Sequence, residues 1–288
     1  MVKAILLVAI CYFLSPIAIA KIQNKVIYGD DNRMQYFQVP RADVREVADS
    51  TAAVIRNSAL TAKSNGMTTV KAETFQRVMG LCSSEPYATE PSGAFCSAFL
   101  VGDDLMATAG HCIDAARCAQ SSFVFSYRMS SQDQAPSEVE SSEVYTCKSV
   151  IERAQTGSED YALVRLDRPV RGHRPLTLAR SSVKPGDNLI VVGHPSGIPT
   201  KVTDNGIVRS VKSQYFTASL DTYGGNSGSA VFNQDTLEVV GILVRGESDF
   251  VYDSKNRCSI SNRCTEDGCR GEDVTQISYI SQALSKAQ

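Results

Sequence analysis

The chain has 288 residues, of which 43% are hydrophobic and 21% are charged, and its 29 basic and 31 acidic side chains give a formal charge of −2. This is the composition of an ordinary globular protein. Because the net charge is small and the basic residues are scattered, the sequence predicts no surface for nucleic acid or for an anionic membrane. A chain of this length folds as one large domain or two small ones without needing disulfides.

The first twenty residues have the pattern of a secretory signal peptide. Lys3 precedes an apolar run, Ala4–Ile19, and the small residues that signal peptidase requires end at Ala20. A transmembrane anchor is the alternative, but the run is short for a bilayer and contains Pro16. Lipoprotein processing at Cys11 is disfavoured by the large residue before it. The sequence therefore predicts a protein that is extracellular or periplasmic, with no membrane partner after removal of residues 1–20.

Export to an oxidising compartment would explain why the chain contains so many cysteines. Eight of them follow the signal peptide: Cys82, Cys96, Cys112, Cys118, Cys147, Cys258, Cys264 and Cys269. An even count in an exported chain predicts up to four disulfides. A zinc site in the Cys258–Cys269 cluster, or near His111, is the alternative, but the separations of five and six residues exceed the usual zinc spacing. We therefore expect disulfides and no metal, although the sequence alone does not choose the pairing.

Short apolar or alternating runs, separated by turn residues, follow one another along the mature chain. The runs are Thr51–Ile55, Phe95–Val101, Leu105–Thr108, Phe123–Tyr127, Ala162–Leu166, Leu189–Val192, Gly206–Val211, Tyr215–Ser219, Ala230–Phe232 and Val239–Val244. Many are rich in β-branched and aromatic residues, which predicts an all-β sandwich or barrel.

Helical spacing is scarce, and the chain divides into two β-rich halves. The best helical spacing lies near the C-terminus, in Val274, Ile277, Ile280 and Leu284. A stretch with two prolines and few strand formers, Gly172–Gly186, is interpreted as the crossing between the halves. The halves are expected at roughly residues 50–170 and 187–271.

Three segments carry the residues with recognisable chemistry. His111 ends the run Ala-Thr-Ala-Gly-His, Asp160 begins an apolar strand, and Ser227 stands between glycines in Gly-Gly-Asn-Ser-Gly-Ser. Alone, each residue is more often a turn or packing residue. Together they supply a nucleophile, a base that takes its proton and a carboxylate that orients the base. The flanking glycines let the N–H groups of Gly225 and Ser227 converge on a developing oxyanion.

In these segments the sequence resembles the chymotrypsin-like serine proteases, and it is most similar to their bacterial glutamyl-endopeptidase branch. That branch shares the Gly-Asn-Ser-Gly-Ser motif and a mature start similar to Val26–Arg33. The resemblance extends from about Val26 to Val244. It implies two packed six-stranded Greek-key β-barrels, with the catalytic residues at their junction. The helical spacing near the C-terminus adds a short C-terminal helix to this fold. The resemblance also implies a monomeric endopeptidase that acts on peptide or protein substrates without a cofactor.

The resemblance assigns roles residue by residue. His111 corresponds to the general base, Asp160 to the orienting acid and Ser227 to the nucleophile. Gly225 and Ser227 correspond to the oxyanion hole. Cys96 and Cys112 correspond to the disulfide that ties the strand before the histidine to the residue after it.

Activation departs from the trypsin branch. The residue before the nucleophile is Asn226, which cannot form the ion pair that an aspartate there makes with a new N-terminus. By analogy with the glutamyl branch, residues 21–25 are interpreted as a short propeptide whose removal exposes Val26, which leaves a protease domain of residues 26–288.

Specificity is open at this stage. Leu243 replaces the histidine that binds the substrate carboxylate in the glutamyl branch, so a preference for glutamate does not carry over. Asp221 corresponds to the aspartate that selects arginine or lysine, and basic residues are slightly favoured. Alternatively, Asp221 and Thr222 shape the loop as an Asx turn. Arg245 could neutralise Asp221 or recruit an acidic side chain, and a small or apolar preference is also open.

Other readings of the sequence are less favoured. His173 and His194 have no candidate acid nearby in sequence and are interpreted as structural. The α/β-hydrolase motif requires a glycine where Ser229 stands, and that fold requires the order Ser, Asp, His. A secreted binding or toxin-like module of the same fold is the principal alternative function, and an esterase-like hydrolase is a third.

Overall fold

The computed structural model describes residues 27–246, 248–265 and 267–287. The predicted signal peptide (1–20), the predicted propeptide (21–25) and Val26 lie outside the described residues. None of the helices in the described ranges is long and apolar enough to cross a membrane.

β-Strands make up most of the regular secondary structure in the described ranges. In chain order they are β1 (Ile27–Tyr28), β2 (Arg33–Gln35), β3 (Thr51–Arg56), β4 (Leu60–Ala62), β5 (Met67–Val70), β6 (Glu73–Thr74), β7 (Pro91–Ser92), β8 (Cys96–Gly102), β9 (Leu105–Thr108), β10 (Ser121–Val124), β11 (Glu138–Glu140), β12 (Val144–Gln155), β13 (Asp160–Leu166), β14 (Asn188–Gly193), β15 (Lys201–Val211), β16 (Tyr215–Ser219), β17 (Ala230–Asn233), β18 (Val239–Arg245), β19 (Phe250–Asp253), β20 (Cys258–Ser261), β21 (Arg263–Cys264) and β22 (Glu272–Gln276). The α-helices are α1 (Ala42–Ala48), α2 (Phe75–Met79), α3 (Ala115–Cys118) and α4 (Ser278–Ala287). Single 3₁₀ turns occur at Tyr36–Gln38, Asn57–Ala59, Ser141–Glu143 and Pro195–Gly197.

Six strands close into a first barrel in the order β3, β8, β9, β13, β12 and β10, with β10 pairing back to β3. All of these pairings are antiparallel. The strands close on themselves because both faces of the central ones are apolar, and closure leaves no unpaired edge. Fully buried side chains fill this barrel, among them Val54, Phe99, Met106, Phe123 and Leu163.

The second barrel repeats the arrangement with β14, β15, β16, β22, β18 and β17, closed by the pairing of β17 with β14. The short strand β2 adds to β15 outside this ring. In both barrels the first three strands are neighbours and the fourth lies beside the first, which is the Greek-key order. The predicted pair of six-stranded barrels is therefore confirmed.

The short C-terminal helix is also confirmed, but it begins later than the apolar spacing indicates. Val274 belongs to β22, where it pairs with Phe216 and Leu243 inside the second barrel. Helix α4 starts at Ser278 and stacks Tyr279 on Tyr161 of β13, with ring centroids 5.0 Å apart. The spacing is misleading at Val274 because this buried strand residue lies three residues before Ile277, which is by chance a helical interval.

Eight cysteines in the described ranges form four disulfides, as their even number predicts. The bridges are Cys82–Cys258, Cys96–Cys112, Cys118–Cys147 and Cys264–Cys269. The first joins the two halves of the chain, since its cysteines are 176 residues apart. The second ties β8 to the turn that follows β9.

The two barrels meet around Ser97 in β8, which is fully buried. Its N–H donates to the carbonyl oxygen of Ser227 at 2.8 Å. Its hydroxyl donates to the carbonyl oxygen of Gly225 at 2.9 Å and accepts from the N–H of His194 at 2.9 Å. All three partners belong to the second half of the chain, so Ser97 ties the second barrel to the first.

Gly228 makes this close approach possible. Its φ is +90°, and a Cβ there would lie 2.1 Å from the carbonyl oxygen of Ser97 and 2.3 Å from Oγ1 of Thr108. Both contacts are shorter than any real carbon–oxygen contact. Glycine is therefore required at this position by backbone conformation and by space.

Replacing this glycine is expected to destabilise the fold. We predict that Gly228→Ala lowers the free energy of unfolding by about 3 kcal/mol or more, because it adds a clash to a left-handed backbone. Urea titration followed by circular dichroism measures this change. Gly157→Ala is the matched control, since a Cβ at Gly157 meets nothing within 4 Å. Equal midpoints for the two variants would contradict the prediction.

Candidate active site

His111 lies in a turn after β9 that leaves no space for a larger residue before it. A Cβ on Gly110 would lie 1.8 Å from the carbonyl oxygen of Ala154 in β12. Arg153 closes the same turn, because its Nε donates to the carbonyl oxygens of Gly110 and Ile113 at 2.6 and 2.7 Å. The small residues that precede the histidine in the sequence are therefore a packing requirement of this turn.

Asp160 is the first residue of β13, and its carboxylate holds His111 at two points. Oδ1 accepts the backbone N–H of His111 at 2.9 Å, and Oδ2 lies 2.8 Å from Nδ1 of the imidazole. The Asp160 side chain is 5% exposed and that of His111 is 31% exposed. The acid is thus shielded while the imidazole is open to solvent. A carboxylate at Nδ1 favours the tautomer with its proton on Nδ1, which leaves Nε2 as an acceptor.

The candidate nucleophile, Ser227, is fixed through its neighbours on both sides. Its carbonyl oxygen accepts from Ser97, and the N–H of Gly228 donates to the carbonyl oxygen of Leu243 at 2.7 Å. The Ser227 hydroxyl lies 3.4 Å from the carbonyl oxygen of Val244, to which it donates. The turn is therefore held between β8 of the first barrel and β18 of the second.

The disulfide between Cys96 and Cys112 brings the histidine turn to the serine turn. Cys96 precedes Ser97, which binds Ser227, and Cys112 follows His111. From the other side, Oγ1 of Thr275 in β22 donates to the carbonyl oxygen of Asp160 at 3.0 Å. The His111 turn, the start of β13 and the Ser227 turn are thus tied together across the two barrels. Among the described contacts the imidazole of His111 bonds Asp160, whereas the hydroxyl of Ser227 bonds the carbonyl oxygen of Val244.

The peptide group between Gly224 and Gly225 is oriented by a hydrogen bond. The N–H of Ser196 donates to the carbonyl oxygen of Gly224, and Oδ2 of Asp249 accepts the N–H of Gly224 at 2.8 Å. Because C=O and N–H point to opposite sides of a trans peptide, the N–H of Gly225 is directed away from Ser196. Gly225 has a φ of +90°, and a Cβ there would lie 2.7 Å from the carbonyl oxygen of His194.

Asn226 is buried directly before the candidate nucleophile. Its Oδ1 accepts from Oγ of Ser229 at 3.3 Å. A Cβ on Gly193 would lie 1.8 Å from Oγ of Ser229, so the two side chains fill the space against β14. A neutral amide therefore fixes this turn without an ion pair.

Asp221 is buried and binds the N-terminal segment of the described chain. Its Oδ1 accepts the backbone N–H of Tyr28 at 2.7 Å and its Oδ2 accepts that of Asn32 at 2.9 Å. Burial raises the pKa of Asp221 to about 6, although the two amide donors act in the opposite direction. Both carboxylate oxygens are thus engaged by main-chain amides of the N-terminal segment.

The other two residues considered for substrate binding have different partners. Thr222 is fully buried, and its Oγ1 donates to Oε2 of Glu272 at 3.2 Å. Arg245 pairs through Nε with Oδ2 of Asp273 at 3.3 Å, and its Nη1 donates to the carbonyl oxygen of Thr156 at 3.4 Å. Arg245 therefore shares the carboxylate of Asp273 with Arg270.

His194 and His173 lie in packed surroundings. His194 is 1% exposed, its Nδ1 is 3.1 Å from the carbonyl oxygen of Ile198, and burial lowers its pKa to about 3, so the ring is neutral. His173 stacks on Phe125 and its Nε2 is 2.7 Å from Oε2 of Glu143.

Metal-ligating side chains come together once within the described ranges, in Cys96, His111 and Cys112. The two sulfur atoms are joined to each other in a disulfide and offer no thiolate to a metal ion.

Ser97, Asp249 and Glu272 contribute to this site but are not singled out by the sequence analysis. Ser97 is a lone hydroxyl in the apolar run of β8, which is a weak sign of a buried hydrogen-bonding role. Glu272 precedes the apolar residues near the C-terminus, where an acidic residue also suits the start of a helix. Neither pattern reveals contacts with residues 50 to 130 positions away.

Comparison with known proteins identifies a family for about half of the chain. Residues 96–242 match the family model of the trypsin-like peptidase domain. A comparison with curated protein sequences finds no match.

Solved structures share the fold. One is a Glu endopeptidase in complex with MPD, 17% identical with a TM-score of 0.52 over 91% of this chain and 100% of that chain. Another is the VesB protease of Vibrio cholerae, 17% identical with a TM-score of 0.53 over 91% of this chain and 68% of that chain. A serine endoprotease from Yersinia pestis is 14% identical with a TM-score of 0.52 over 86% and 67%. At these identities the likeness concerns the fold.

The raised pKa of Asp221 leads to a prediction about stability. Between about pH 4 and 6 the folded protein keeps a proton on Asp221 that the unfolded chain has lost, so this contribution is present at low pH and is lost as the pH rises through 6. The Asp221→Asn variant lacks this titrating group. On lowering the pH from 7 to 4, we expect the free energy of unfolding of the wild type to rise relative to that of Asp221→Asn by up to about 3 kcal/mol.

Urea titrations at a series of pH values measure this difference. The matched control is Asp133→Asn, because Asp133 is exposed on the surface. A difference between wild type and Asp221→Asn that does not change with pH would refute the account.

Proposed function

The chain belongs to the trypsin-like peptidase domain family, and from that premise we propose that it is an exported serine endopeptidase that works through a covalent acyl-enzyme. The observation that carries the proposal is the imidazole of His111, hydrogen-bonded at 2.8 Å to the shielded carboxylate of Asp160 beside the Ser227 turn. A polarised imidazole next to a serine on a glycine-rich turn is the chemistry of acyl transfer.

In the proposed reaction His111 Nε2 takes the hydroxyl proton of Ser227 while Oγ attacks the carbonyl carbon of the peptide. Asp160 keeps the imidazole in the required tautomer and stabilises the imidazolium. His111 then gives the proton to the leaving amine, the C–N bond breaks and the acyl-enzyme remains. A water molecule deprotonated by His111 attacks the ester, which releases the acid product and restores Ser227.

The N–H groups of Gly225 and Ser227 are proposed to bind the oxyanion of the tetrahedral intermediate. The hydrogen bond from Ser196 to the carbonyl oxygen of Gly224 supports this role, because it keeps that carbonyl from turning into the oxyanion site. Donors that are already oriented stabilise developing charge without reorganisation. Asn226 is buried without an ionic partner in this turn, so the oxyanion site is proposed to form without insertion of a new N-terminus.

Export and processing are part of the proposal. Residues 1–20 are proposed as a signal peptide and residues 21–25 as a short propeptide, which leaves a protease domain of residues 26–288. Four disulfides are typical of an oxidising compartment. The contacts of Tyr28 and Asn32 with Asp221 lie beyond the proposed cleavage point and persist after it. N-terminal sequencing of the active secreted protein should begin at Val26, whereas Lys21 would remove the propeptide from the proposal.

The central prediction concerns Ser227. We expect Ser227→Ala to lower turnover of peptides by about 10⁴-fold or more, since the nucleophile is lost while the fold is kept. The measurement is cleavage of a mixed peptide library by the purified secreted protein, with products identified by mass spectrometry. Ser213→Ala is the matched control, because the Ser213 hydroxyl is exposed and bonds only its neighbour Gln214 among the described contacts.

A serine-directed fluorophosphonate separates this function from its alternatives. Covalent labelling of the wild type, absent in Ser227→Ala, requires an activated serine and excludes a binding or toxin-like module. Labelling without cleavage of any peptide would favour an esterase-like hydrolase. A folded Ser227→Ala variant that retained most of the wild-type peptidase activity would contradict the assignment of Ser227 as the nucleophile.

A further inference from the structure

The turn that carries the proposed oxyanion donor contains two consecutive glycines. Gly224 and Gly225 have no Cβ, so rotation about their backbone bonds meets little steric resistance. A rotation of the peptide group between them would replace the N–H at the proposed oxyanion site by a carbonyl oxygen. That oxygen would repel the developing charge, whereas the N–H binds it. The orientation of this peptide group must therefore be fixed by hydrogen bonds from outside the turn.

We infer that Asp249 is a positioning residue for the oxyanion site, because it holds Gly224 in the conformation that presents the N–H of Gly225 to the substrate. The inference rests on the proposed function and adds a residue to its machinery. Asp249 lies in the segment after β18, and its Oδ2 accepts the N–H of Gly224 at 2.8 Å. The carbonyl oxygen of the same glycine accepts the N–H of Ser196. Both main-chain polar groups of Gly224 are thus bonded.

The two hydrogen bonds restrain different peptide groups. Ser196 binds the peptide group between Gly224 and Gly225. Asp249 binds the preceding one, to which the N–H of Gly224 belongs. Because each peptide group is planar, holding both planes fixes the two backbone dihedrals of the glycine between them. Loss of the bond to Asp249 would release one of these planes, and a glycine has no side chain to restrict the rotation that follows.

The hairpin of β19 and β20 holds Asp249 in place. The carbonyl oxygen of Asp249 accepts the N–H of Asn262 at 3.0 Å, and the next residue, Phe250, pairs with Ser261 across the hairpin. The carboxylate therefore belongs to the base of a paired hairpin. A Cβ on Gly224 would lie 3.1 Å from Oδ2 of Asp249, so the absence of a side chain gives the carboxylate close access to the amide.

The same hairpin contacts Tyr223, the residue before Gly224. The ring centroids of Phe250 and Tyr223 are 4.9 Å apart, and the Tyr223 hydroxyl lies 2.6 Å from Oγ of Ser261. These contacts and the hydrogen bond to Asp249 act on adjacent residues of one segment. The hairpin thus holds the chain where it enters the oxyanion turn.

Contacts with the first half of the chain fix the hairpin in turn. Cys258 in β20 forms a disulfide with Cys82. The N–H of Ser259 donates to the carbonyl oxygen of Gly80 at 2.8 Å, and the N–H of Cys82 donates to the carbonyl oxygen of Ser259 at 2.9 Å. The position of Asp249 is therefore set by covalent and main-chain contacts that reach across the molecule.

Asp249 acts here through geometry and not through its charge. A carboxylate beside the oxyanion turn raises the energy of developing negative charge, so a direct electrostatic effect of Asp249 would slow the reaction. A hydrogen bond that orients the donor has the opposite effect. Removal of the acceptor oxygen and removal of the charge alone should therefore have different consequences.

The test measures peptide hydrolysis and inhibition by a peptidyl trifluoromethyl ketone in the secreted protein. Oγ of Ser227 adds to the ketone carbon, the carbonyl oxygen becomes an oxyanion and the hydroxyl proton passes to His111. In Asp249→Ala we expect kcat to fall by about 30-fold and the inhibition constant of the ketone to rise by about as much. KM should change by less than about threefold, since the substrate is bound before the oxyanion forms. General damage to the site would instead raise KM as well.

Two further variants separate the acceptor from the charge. Asp249→Asn keeps an acceptor oxygen and should remain within about threefold of the wild type in kcat and in ketone inhibition. Asp235→Ala is the matched control, because it removes an exposed acid in the turn between β17 and β18. The inference would be overturned by an Asp249→Ala variant equal to this control, or by an equal loss in Asp249→Asn and Asp249→Ala.

Asp249→Ser covers the case in which Asp249→Ala does not fold. Its hydroxyl can be hydrated, but it is one bond shorter than the carboxylate and leaves a gap to the N–H of Gly224, so the same losses are expected. A folded Asp249→Ser variant with the kcat and ketone affinity of the wild type would overturn the inference. Failure of the proposed function has a different signature, because the wild type itself would then neither cleave peptides nor bind the ketone.

Discussion

The hydrogen bonds of one buried serine, Ser97, join the two halves of the chain at the candidate active site. Through its N–H and its hydroxyl it makes three hydrogen bonds to the second half of the chain, and two of them end on carbonyl oxygens of the serine turn. Backbone groups in such a dry interface must be paired, since each unsatisfied one destabilises the fold by about 1–3 kcal/mol. The relative position of the two barrels is therefore one that satisfies Ser97. That same position sets the Ser227 turn beside the histidine turn.

Other constraints on the site come from glycine positions where a Cβ atom would have no space. Gly110, Gly193 and Gly228 each face an atom that a Cβ would overlap, so the turns that carry the functional groups are pressed against neighbouring strands. Close packing of this kind keeps the imidazole and the serine turn in fixed positions without a ligand. The same packing gives the two ionisable groups different exposure to solvent, because Asp160 is shielded and His111 is more open. Rigidity and electrostatics thus arise from the same contacts.

Sequence patterns predict the fold correctly, whereas the candidate catalytic residues remain a prediction and the substrate site is not predicted. Runs such as Leu105–Thr108 and Tyr215–Ser219 coincide with strands because their apolar residues face a barrel interior. The long strand Val144–Gln155 is not predicted, since most of its residues are partly exposed and its pattern is irregular. His111, Asp160 and Ser227 stand in short motifs that local geometry requires. The contact of Glu272 with Thr222, by contrast, joins residues 50 positions apart in the chain, which no local pattern records.

The disulfide between Cys82 and Cys258 determines what happens to the protein when its own chain is cleaved. It is the bridge, among the four, whose two cysteines lie on opposite sides of the crossing at Gly172–Gly186. A cut in that crossing, whether by autolysis or by another protease, divides the chain into two fragments that remain covalently joined. Each fragment keeps one barrel, and the tether holds the separated barrels at high effective concentration. The nicked molecule can thus re-form its interface after each transient opening, and only reduction together with cleavage would release its halves.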